Sequence, residues 1–350
     1  MKTIGRDFGD TARKVYAVAS GALGNGKACV VNTDGTVSVV SSTTITQNVA
    51  TAVQFTTNEI NDSFMAFDSN SNRSLLVYQD QGDSNSGHSI VAEVDPSDNS
   101  VSYGTAVEFH DGAIQDAALA FSTTDNKFLV VYRGASNHGR ARVATIDSSD
   151  NSVSYGTEVV FEADTTTKTR VAYDSSNNKF VVCYTDAGNS NYGTAIVGTI
   201  SGTNVSFGSA EVFESAGTTA QTIVFDSSNN KVVIAYADQG DSNKGKAIVG
   251  TVSGTSISFG TAVEFDAGNC SADFMVSAFD TGNSKVVIGY RRPPDGGGLG
   301  HGKAVVGTVS GTGISFGSVG TFQGSAEVAN MSMRYDSRVG KIVVAYQGET

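Results

Sequence analysis

Short apolar runs alternate with polar turns along the chain, and the pattern recurs with a period of about 52 residues. An aromatic residue followed six positions later by Lys or Arg marks each copy: Phe8/Lys14, Phe67/Arg73, Phe121/Lys127, Tyr173/Lys179, Phe225/Lys231, Phe279/Lys285 and Tyr335/Lys341. The gaps between successive aromatics are 59, 54, 52, 52, 54 and 56 residues, a regularity typical of tandem repeats. The sequence therefore predicts seven units, with approximate bounds 1–59, 60–113, 114–165, 166–217, 218–271, 272–327 and 328–350.

Unit 5 shows the predicted strands most clearly, at 221–225, 231–236, 246–252 and 256–265. The turns between them are rich in Gly, Asn, Asp and Ser, so adjacent strands should pair as antiparallel hairpins. The second strands are nearly continuous apolar runs, which require cover on both faces. A blade between two other blades meets this demand better than a coil of a linear β-solenoid. We therefore predict an all-β fold, one β-propeller domain over residues 1–350 built from four-stranded antiparallel blades.

Two blade counts fit the sequence. The first two strands occur seven times, whereas the third and fourth occur six times, because the chain given ends after the seventh second strand. Seven blades with a two-stranded last blade is the preferred solution, since Phe8 and Lys14 keep the internal spacing of the unit. In the alternative of six blades, residues 27–40 supply outer strands beside the C-terminal hairpin, and residues 1–20 stay outside the ring.

Charge and composition exclude some functions. A formal net charge of -12 argues against binding to nucleic acid, which requires clustered Lys and Arg. Neither a signal peptide nor a membrane-spanning run is evident, so we expect synthesis in the cytosol and no membrane insertion. The cysteines at 29, 183 and 270 are predicted to be small buried hydrophobic residues, because an odd number cannot all pair within the chain.

Variation among the units predicts where ligands bind. In a four-stranded meander, the loops between second and third strands share one face with the links between units, and this face carries the variation. Its most divergent loop begins with Arg291 and Arg292, which could present bidentate donors to a carboxylate or sulfate. The candidate ligand-binding residues are Arg291, Arg292, His301, Lys244, Tyr192 and His138. The alternative is a set of exposed loops without a partner.

Aspartates in the same loops suggest calcium only weakly. In three of these loops, aspartates lie within two residues of the loop glycine: Asp80, Asp83, Asp186, Asp238 and Asp241. Oxygen ligands around a glycine are common in calcium loops, yet no glutamate supplies a closing bidentate ligand. Turn chemistry explains the same residues and is preferred. No transition-metal spacing occurs, and no other cofactor is expected.

No catalytic residue is predicted. The tyrosines at 78, 132, 184, 236, 290 and 346 recur at one place in each unit, which indicates packing rather than a unique nucleophile. A propeller glycosidase, including a sialidase-like enzyme, stays an alternative that requires convergent carboxylates and basic residues at the central channel. A further alternative is an intracellular peptide-binding scaffold, which requires a large exposed apolar groove.

The unit consensus carries a resemblance. It is seen as Phe-Asp-Ser-Ser-Asn-Asn-Lys-Val-Val-Ile-Ala-Tyr at 225–236 and Gly-Lys-Ala-Ile-Val-Gly-Thr-Val at 245–252. This pattern resembles repeats in virion structural and tail-fibre-like proteins of marine bacteriophages over nearly the whole chain. The resemblance implies a fibre, receptor-binding or decoration component of the virion within an oligomeric assembly. On this basis we expect a non-enzymatic protein that binds a host surface glycan or protein, or a neighbouring virion protein, through the variable loops.

Overall fold

The computed structural model describes residues 52–270, 274–293, 300–325 and 327–349, together with short strands between residues 3 and 39. The chain divides into two compact parts, Met1–Ala50 and Thr51–Thr350. In the N-terminal part, β1 (Thr3–Ile4) pairs antiparallel with β2 (Val15–Tyr16). There, β5 (Thr36–Val39) pairs parallel with β3 (Val18–Ala19) and antiparallel with β4 (Cys29–Val31). Phe8, Lys14 and most of residues 1–51 lie outside the described residues, so both blade counts stay predictions.

The larger part consists of antiparallel sheets, and we keep the unit numbers as labels. Unit 2 contains β6 (Ile60–Asp68), β7 (Arg73–Asp80), β8 (Ser86–Val94), β9 (Val101–Tyr103) and β10 (Val107–Ala113). They lie in the order β6, β7, β8, and then β9 and β10 both pair with the outer edge of β8. The fourth strand of the predicted blade is thus divided in two.

Units 3 to 5 repeat this arrangement. Their strands are β11 (Gln115–Ser122), β12 (Lys127–Arg133), β13 (His138–Asp147), β14 (Ser152–Tyr155), β15 (Val159–Asp174), β16 (Lys179–Asp186), β17 (Tyr192–Ser201), β18 (Asn204–Phe207), β19 (Glu211–Asp226), β20 (Lys231–Asp238), β21 (Lys244–Ser253), β22 (Ser256–Phe259) and β23 (Val263–Asn269). Short 3-10 turns at Ala135–Asn137, Ala187–Asn189 and Gln239–Asp241 precede the third strands. β15 and β19 each serve two sheets, because their first halves are outer strands and their second halves begin the next unit.

Unit 6 contains β24 (Met275–Asp280), β25 (Lys285–Arg292), β26 (His301–Ser310), β27 (Gly313–Phe316) and β28 (Gly320–Gln323), and unit 7 contains β29 (Glu327–Asp336) and β30 (Lys341–Glu349). The first strand of each unit lies innermost and contacts the first strand of the next, from β6 through β11, β15, β19 and β24 to β29. The last of these returns to the first, since the Arg334 Nη2 atom lies 3.5 Å from the carbonyl oxygen of Met65. Inner strands within residues 51–350 therefore surround a common axis, which confirms the predicted all-β propeller.

The inner strands surround a central channel. A cavity of about 320 Å³ lies between residues 171–173, 223–225, 277–279 and 333–335, which belong to four inner strands. Desolvation at this level lowers the pKa of the Arg334 guanidinium. Within the described part of the chain, the structure contains no helix with the length and hydrophobicity that crossing a membrane requires.

The recurrent tyrosines form the core between blades. Tyr78, Tyr132, Tyr184, Tyr236 and Tyr290 are at most 1% exposed, which confirms their interpretation as packing residues. For Tyr346, in the two-stranded unit 7, the interpretation was wrong, because its side chain is 38% exposed. Each buried hydroxyl needs a hydrogen-bond partner. Tyr184 donates to Glu162 Oε2 at 3.1 Å, and Tyr236 donates to Glu214 Oε2 at 2.9 Å. Of the three cysteines, Cys183 and Cys270 are buried as predicted, and burial raises the pKa of each thiol to about 12.

The lower face of the ring is built from repeated turns. Between the first two strands of unit 5, Asp226 Oδ1 accepts hydrogen bonds from the backbone N–H groups of Ser228 and Asn229 at 2.9 and 3.0 Å. Asn230 completes the turn with a φ of 53°. Adjacent units also touch here, because a Cβ atom on Gly156 would overlap the Thr203 carbonyl oxygen of the next unit. Asn tolerates the left-handed region and glycine permits close backbone approach, which explains their recurrence.

Candidate active site

We call the face that carries the loops between second and third strands and the links between units the upper face. The inner strands share one backbone irregularity at their upper ends. β6, β11 and β29 each show a register shift near their start, and β15 and β19 show it near the start of their second, inner halves. At the shift, one residue adopts a positive φ: Asp62 (43°), Asp116 (52°), Lys168 (56°), Ala220 (50°) and Asn330 (47°). Such bulges redirect a side chain and are common beside active sites. Here the backbone is constant while the side chain varies: it is aspartate in units 2 and 3 and a different residue in each of units 4, 5 and 7.

Charged bulge residues meet on one side of the channel mouth, and we call Asp62, Asp116, Lys168 and Arg170 the mouth cluster. The Asp116 backbone N–H donates to Asp62 Oδ2 at 3.2 Å, so two carboxylate-bearing residues lie on adjacent inner strands. Arg133, the last residue of β12, places its Nε atom 3.7 Å from Asp116 Oδ2. Asp62 itself remains accessible to solvent.

Arg170 spans from unit 4 toward unit 2. Its guanidinium carbon lies 5.1 Å from the centre of the Phe64 ring, a cation–π contact. One of its N–H groups, on Nη1, donates to the carbonyl oxygen of Thr169 at 2.7 Å. Lys168, two residues earlier in β15, is partly buried at the same level of the channel.

The electrostatics of the mouth cluster act on Asp62. Desolvation and the nearby Asp116 carboxylate raise the pKa of Asp62. The backbone N–H of Asp116 and the charges of Arg170 and Lys168 oppose this shift without cancelling it. A carboxylic acid with a raised pKa keeps its proton to higher pH than an ordinary aspartate and can donate it, and the cations can hold an anionic group beside it. The arrangement is therefore suited to general acid catalysis on a negatively charged substrate.

Arg291, Arg292 and His301, from the most divergent loop, lie together in unit 6. Arg291 Nη1 binds Glu327 Oε1 at 2.7 Å, and its guanidinium carbon lies 5.0 Å from the Phe274 ring centre. Arg292 Nη1 lies 3.1 Å from Asp266 Oδ1, and Arg292 is the register partner of His301 across β25 and β26. Residues 294–299, between these strands, lie outside the described residues.

Lys244, Tyr192 and His138 begin the third strands of three different units. Lys244 binds Asp241 and Glu264, with its Nζ atom 3.2 Å from each carboxylate. Tyr192 pairs with Asp186 and Gly217, and His138 pairs with Thr165. Repetition thus distributes these residues around the ring on separate sheets. Ligand binding by the six predicted residues stays a prediction.

The five calcium candidates have partners within the protein. Three cap their own turns: Asp80 Oδ1 accepts from Gly82 at 2.9 Å, Asp186 Oδ1 from Asn189 at 3.1 Å and Asp238 Oδ1 from Gly240 at 2.8 Å. Asp83 contacts His88, and Asp241 contacts Lys244 and Lys246. Over the described ranges, no three His, Cys, Asp or Glu side chains converge as a metal site would require. Calcium binding stays a prediction.

Sequence reasoning missed the mouth cluster because it looked at loops, whereas these residues lie within strands. A signal was present five positions before the aromatic that marks each unit. That position holds Asp62, Asp116, Lys168, Ala220, Phe274 and Asn330 in units 2 to 7. A charged residue at this one position in three of the units is the feature that could have identified the site.

Comparison with known proteins bears on fold and function. No protein-family model matches the chain, and no curated protein matches its sequence. Its structure is similar to the periplasmic gluconolactonase PpgL of Pseudomonas aeruginosa, with a TM-score of 0.58, 12% identity, and 81% of this chain and 78% of the other covered. A candidate 6-phosphogluconolactonase of Bacteroides uniformis gives 0.54, 9%, 81% and 84%. Trypanosoma rangeli sialidase gives 0.50, 12%, 94% and 58%. At this identity, the likeness shows the propeller fold alone.

These comparisons correct the expected function. We expected a non-enzymatic virion surface protein that binds a glycan or a virion protein through the variable loops, and this was wrong. The similar propellers named above are enzymes, and the described residues supply the convergent carboxylates and basic residues that the glycosidase alternative required. The error arose because the repeat pattern reports the scaffold, which propellers of many functions share. Location in a virion stays a prediction.

Proposed function

We propose that this protein is a glycoside hydrolase whose substrate carries a carboxylate beside the bond that is cleaved. Asp62 acts as general acid and protonates the leaving-group oxygen. Asp116 is the second carboxylate of the pair, and Lys168 and Arg170 bind the substrate carboxylate. The observation that carries the proposal is the convergence of Asp62, Asp116 and two cations at the solvent-accessible channel mouth, where the Asp116 backbone N–H lies 3.2 Å from Asp62 Oδ2.

The chemistry of glycosides fits this arrangement. Cleavage of a glycosidic bond uses two carboxyl groups, one protonated and one ionised, and their environments must hold their pKa values apart. Of the pair, Asp62 has the raised pKa. Lys168 and Arg170, which also act electrostatically on Asp62, would attract an acidic sugar more strongly than a neutral one. The sialidase among the similar propellers acts, by its name, on such a sugar.

The first test is hydrolysis by the purified chain of fluorogenic glycosides of glucuronic acid, galacturonic acid and sialic acid, with neutral glycosides alongside. We expect release of the fluorophore from an acidic glycoside. Asp62→Asn should lower kcat by a factor of about 100 to 10,000, the usual contribution of a general acid. Lys168→Met should raise KM for the acidic glycoside more than it lowers kcat.

The matched control is Asp164→Asn, which removes an exposed carboxylate from the link between units 3 and 4 without touching the mouth cluster. Its activity should equal that of the wild type. Full activity of Asp62→Asn, or no cleavage of any glycoside, would contradict the proposal. Hydrolysis of an aldonolactone without cleavage of glycosides, measured by pH-stat titration, would overturn the glycoside assignment.

A further inference from the structure

A second group of polar side chains is buried between units 2 and 3, outside the mouth cluster. The Glu158 carboxylate accepts hydrogen bonds from three sides. His110 Nδ1 lies 2.7 Å and the Tyr132 hydroxyl 2.5 Å from Oε2, and Arg140 binds Oε1. Beside it lies a cavity of about 400 Å³, lined by Glu108, Phe109, His110, Asp111, Arg142 and Glu158. We call this space the inter-unit cavity.

Three lining residues depart from the repeat, and the strand register shows which residues are equivalent. The residue opposite the third-strand glycine is His110 here, but Glu162, Glu214 and Asp266 in the next three units. The residue before the outer strand is Glu158, where other units have Ala106, Ala210 and Ala262. Arg142 occupies the place of Ile90, Ile196 and Ile248.

Folding does not require these departures. In the other units a single acidic residue opposite the glycine already satisfies the buried tyrosine, as Glu162 does for Tyr184. Placing an arginine where an isoleucine packs, and adding Glu158, introduces charges into a partly buried site, and their pairing offsets the desolvation cost at best in part. His110 is only 8% exposed, and its Nε2 atom has no hydrogen-bond partner among the described residues. These features indicate a built binding site.

The lining determines the chemistry of the ligand. Burial raises the pKa of Glu158, but hydrogen bonds from Tyr132, His110 and Arg140 outweigh it and lower the pKa, so Glu158 is ionised. Arg142 donates from Nη1 to the Phe109 carbonyl at 2.6 Å, and its guanidinium lines the cavity. Glu108 and Asp111 add exposed carboxylates at the rim. Three carboxylates would repel an anionic ligand, and Arg142 would repel a cationic one.

Hydroxyl groups fit such a lining, because each one both donates and accepts a hydrogen bond. We propose that the inter-unit cavity binds one neutral monosaccharide unit, with Arg142 donating to one hydroxyl and Glu108 and Asp111 accepting from its neighbours. A volume of about 400 Å³ lies within the range of small-molecule sites. The site is independent of catalysis at the channel mouth, although a substrate glycan could occupy both.

The test is titration calorimetry of the full chain with glucose, galactose, mannose, fucose and N-acetylglucosamine, and with methylammonium as a cationic probe. We expect at least one neutral sugar to bind. The variant His110→Glu/Arg142→Ile/Glu158→Ala restores the residues of the other units, so it should keep its melting temperature. It should lose affinity at least about tenfold, as expected when hydrogen bonds to charged groups are removed.

Two control variants locate the site. Glu211→Gln removes an exposed carboxylate from the outer strand of unit 4 and should bind the sugar as the wild type does. Asp62→Asn should also bind it unchanged, which separates this proposal from the one on hydrolysis. Equal affinity in the triple variant would overturn the proposal. Binding of methylammonium without binding of any neutral sugar would overturn the ligand class.

Discussion

The two ends of the inner strands differ in what the repeat preserves. At the lower end, the turns keep both backbone and side chain: Asp174, Asp226 and Asp280 each cap two backbone N–H groups in the same way. At the upper end, the bulge keeps its backbone, but its residue ranges from Asp62 through Lys168 to Asn330. A side chain that recurs in every such turn indicates a structural role in the fold. A repeat that preserves only the backbone leaves the side chain free for chemistry.

The largest expected effect concerns contacts between units at the lower end. Gly156→Ala places a Cβ atom against the Thr203 carbonyl oxygen, and backbone on both sides must move. We expect a loss of about 3 kcal/mol or more in the free energy of unfolding. Gly202→Ala is the control, because Gly202 has a φ of 61° but no atom within 4 Å of the new Cβ. It should cost about 1 kcal/mol, and equal losses in urea denaturation would contradict the packing argument.

The next effect concerns a lower turn. Asp226→Ala removes a buried carboxylate and leaves the N–H groups of Ser228 and Asn229, in an exposed turn, without their acceptor. We expect the free energy of unfolding to fall by about 2 kcal/mol, a large value for a turn cap. Asp226→Asn keeps one side-chain oxygen and should recover part of the loss. If the alanine variant and the wild type unfold at the same urea concentration, turn capping does not explain why aspartate recurs at this position.

A smaller effect is expected for a tyrosine between the two ends. Tyr184→Phe keeps the buried ring but removes the hydrogen bond to Glu162 Oε2, and Glu162 can still be hydrated. The expected loss in free energy of unfolding is about 1 kcal/mol. Tyr192→Phe serves as the control, since Tyr192 is the first residue of β17 and lies outside the core. This substitution should change the free energy of unfolding by less than about 0.5 kcal/mol. Similar losses in both variants would mean that the hydroxyl of Tyr184 contributes nothing specific.

The smallest effect concerns the upper end and depends on pH. A carboxyl group whose pKa is raised in the folded state costs stability once the pH exceeds that pKa. The pKa of Asp62 is raised by desolvation and Asp116, so Asp62→Asn should melt slightly above the wild type at pH 7.5. Below the ordinary pKa of an aspartate, both states of the wild type are protonated and the difference should vanish. The measurement is the difference in melting temperature between Asp62→Asn and the wild type at pH 7.5 and at pH 3.5. If this difference is lower at pH 7.5 than at pH 3.5, the pKa of Asp62 is not raised.

The sequence predicted most of the scaffold. The spacing of aromatics and the polar turns identified the strands, and continuous apolar second strands such as 231–236 correctly implied cover on both faces. The recurrence of tyrosine at 184 and 236 identified packing positions for the same reason. These features are local or periodic, so they are visible in one dimension.

The site could not be predicted in the same way. Asp62 and Asp116 are 54 residues apart, and only the packing of inner strand β6 against inner strand β11 brings them together. The raised pKa of Asp62 depends on desolvation, which no spacing reveals. Arg291 and Arg292 attracted attention through their divergent loop, yet the structure pairs them with Glu327 and Asp266. Divergence in length marks where the scaffold tolerates change, whereas divergence in charge on a fixed bulge marks the candidate site.

β15 and β19 pass from one sheet into the next without a loop. Units 3, 4 and 5 are therefore joined by continuous strands rather than by hinges. A circular permutant opened at 165/166 or 217/218 would cut a paired strand and should fail to fold, whereas one opened in the turn at 253–255 would leave every strand intact. Linkage of this kind lets the repeat grow by whole-unit duplication, yet it prevents any of these three units from being exchanged as a detached module.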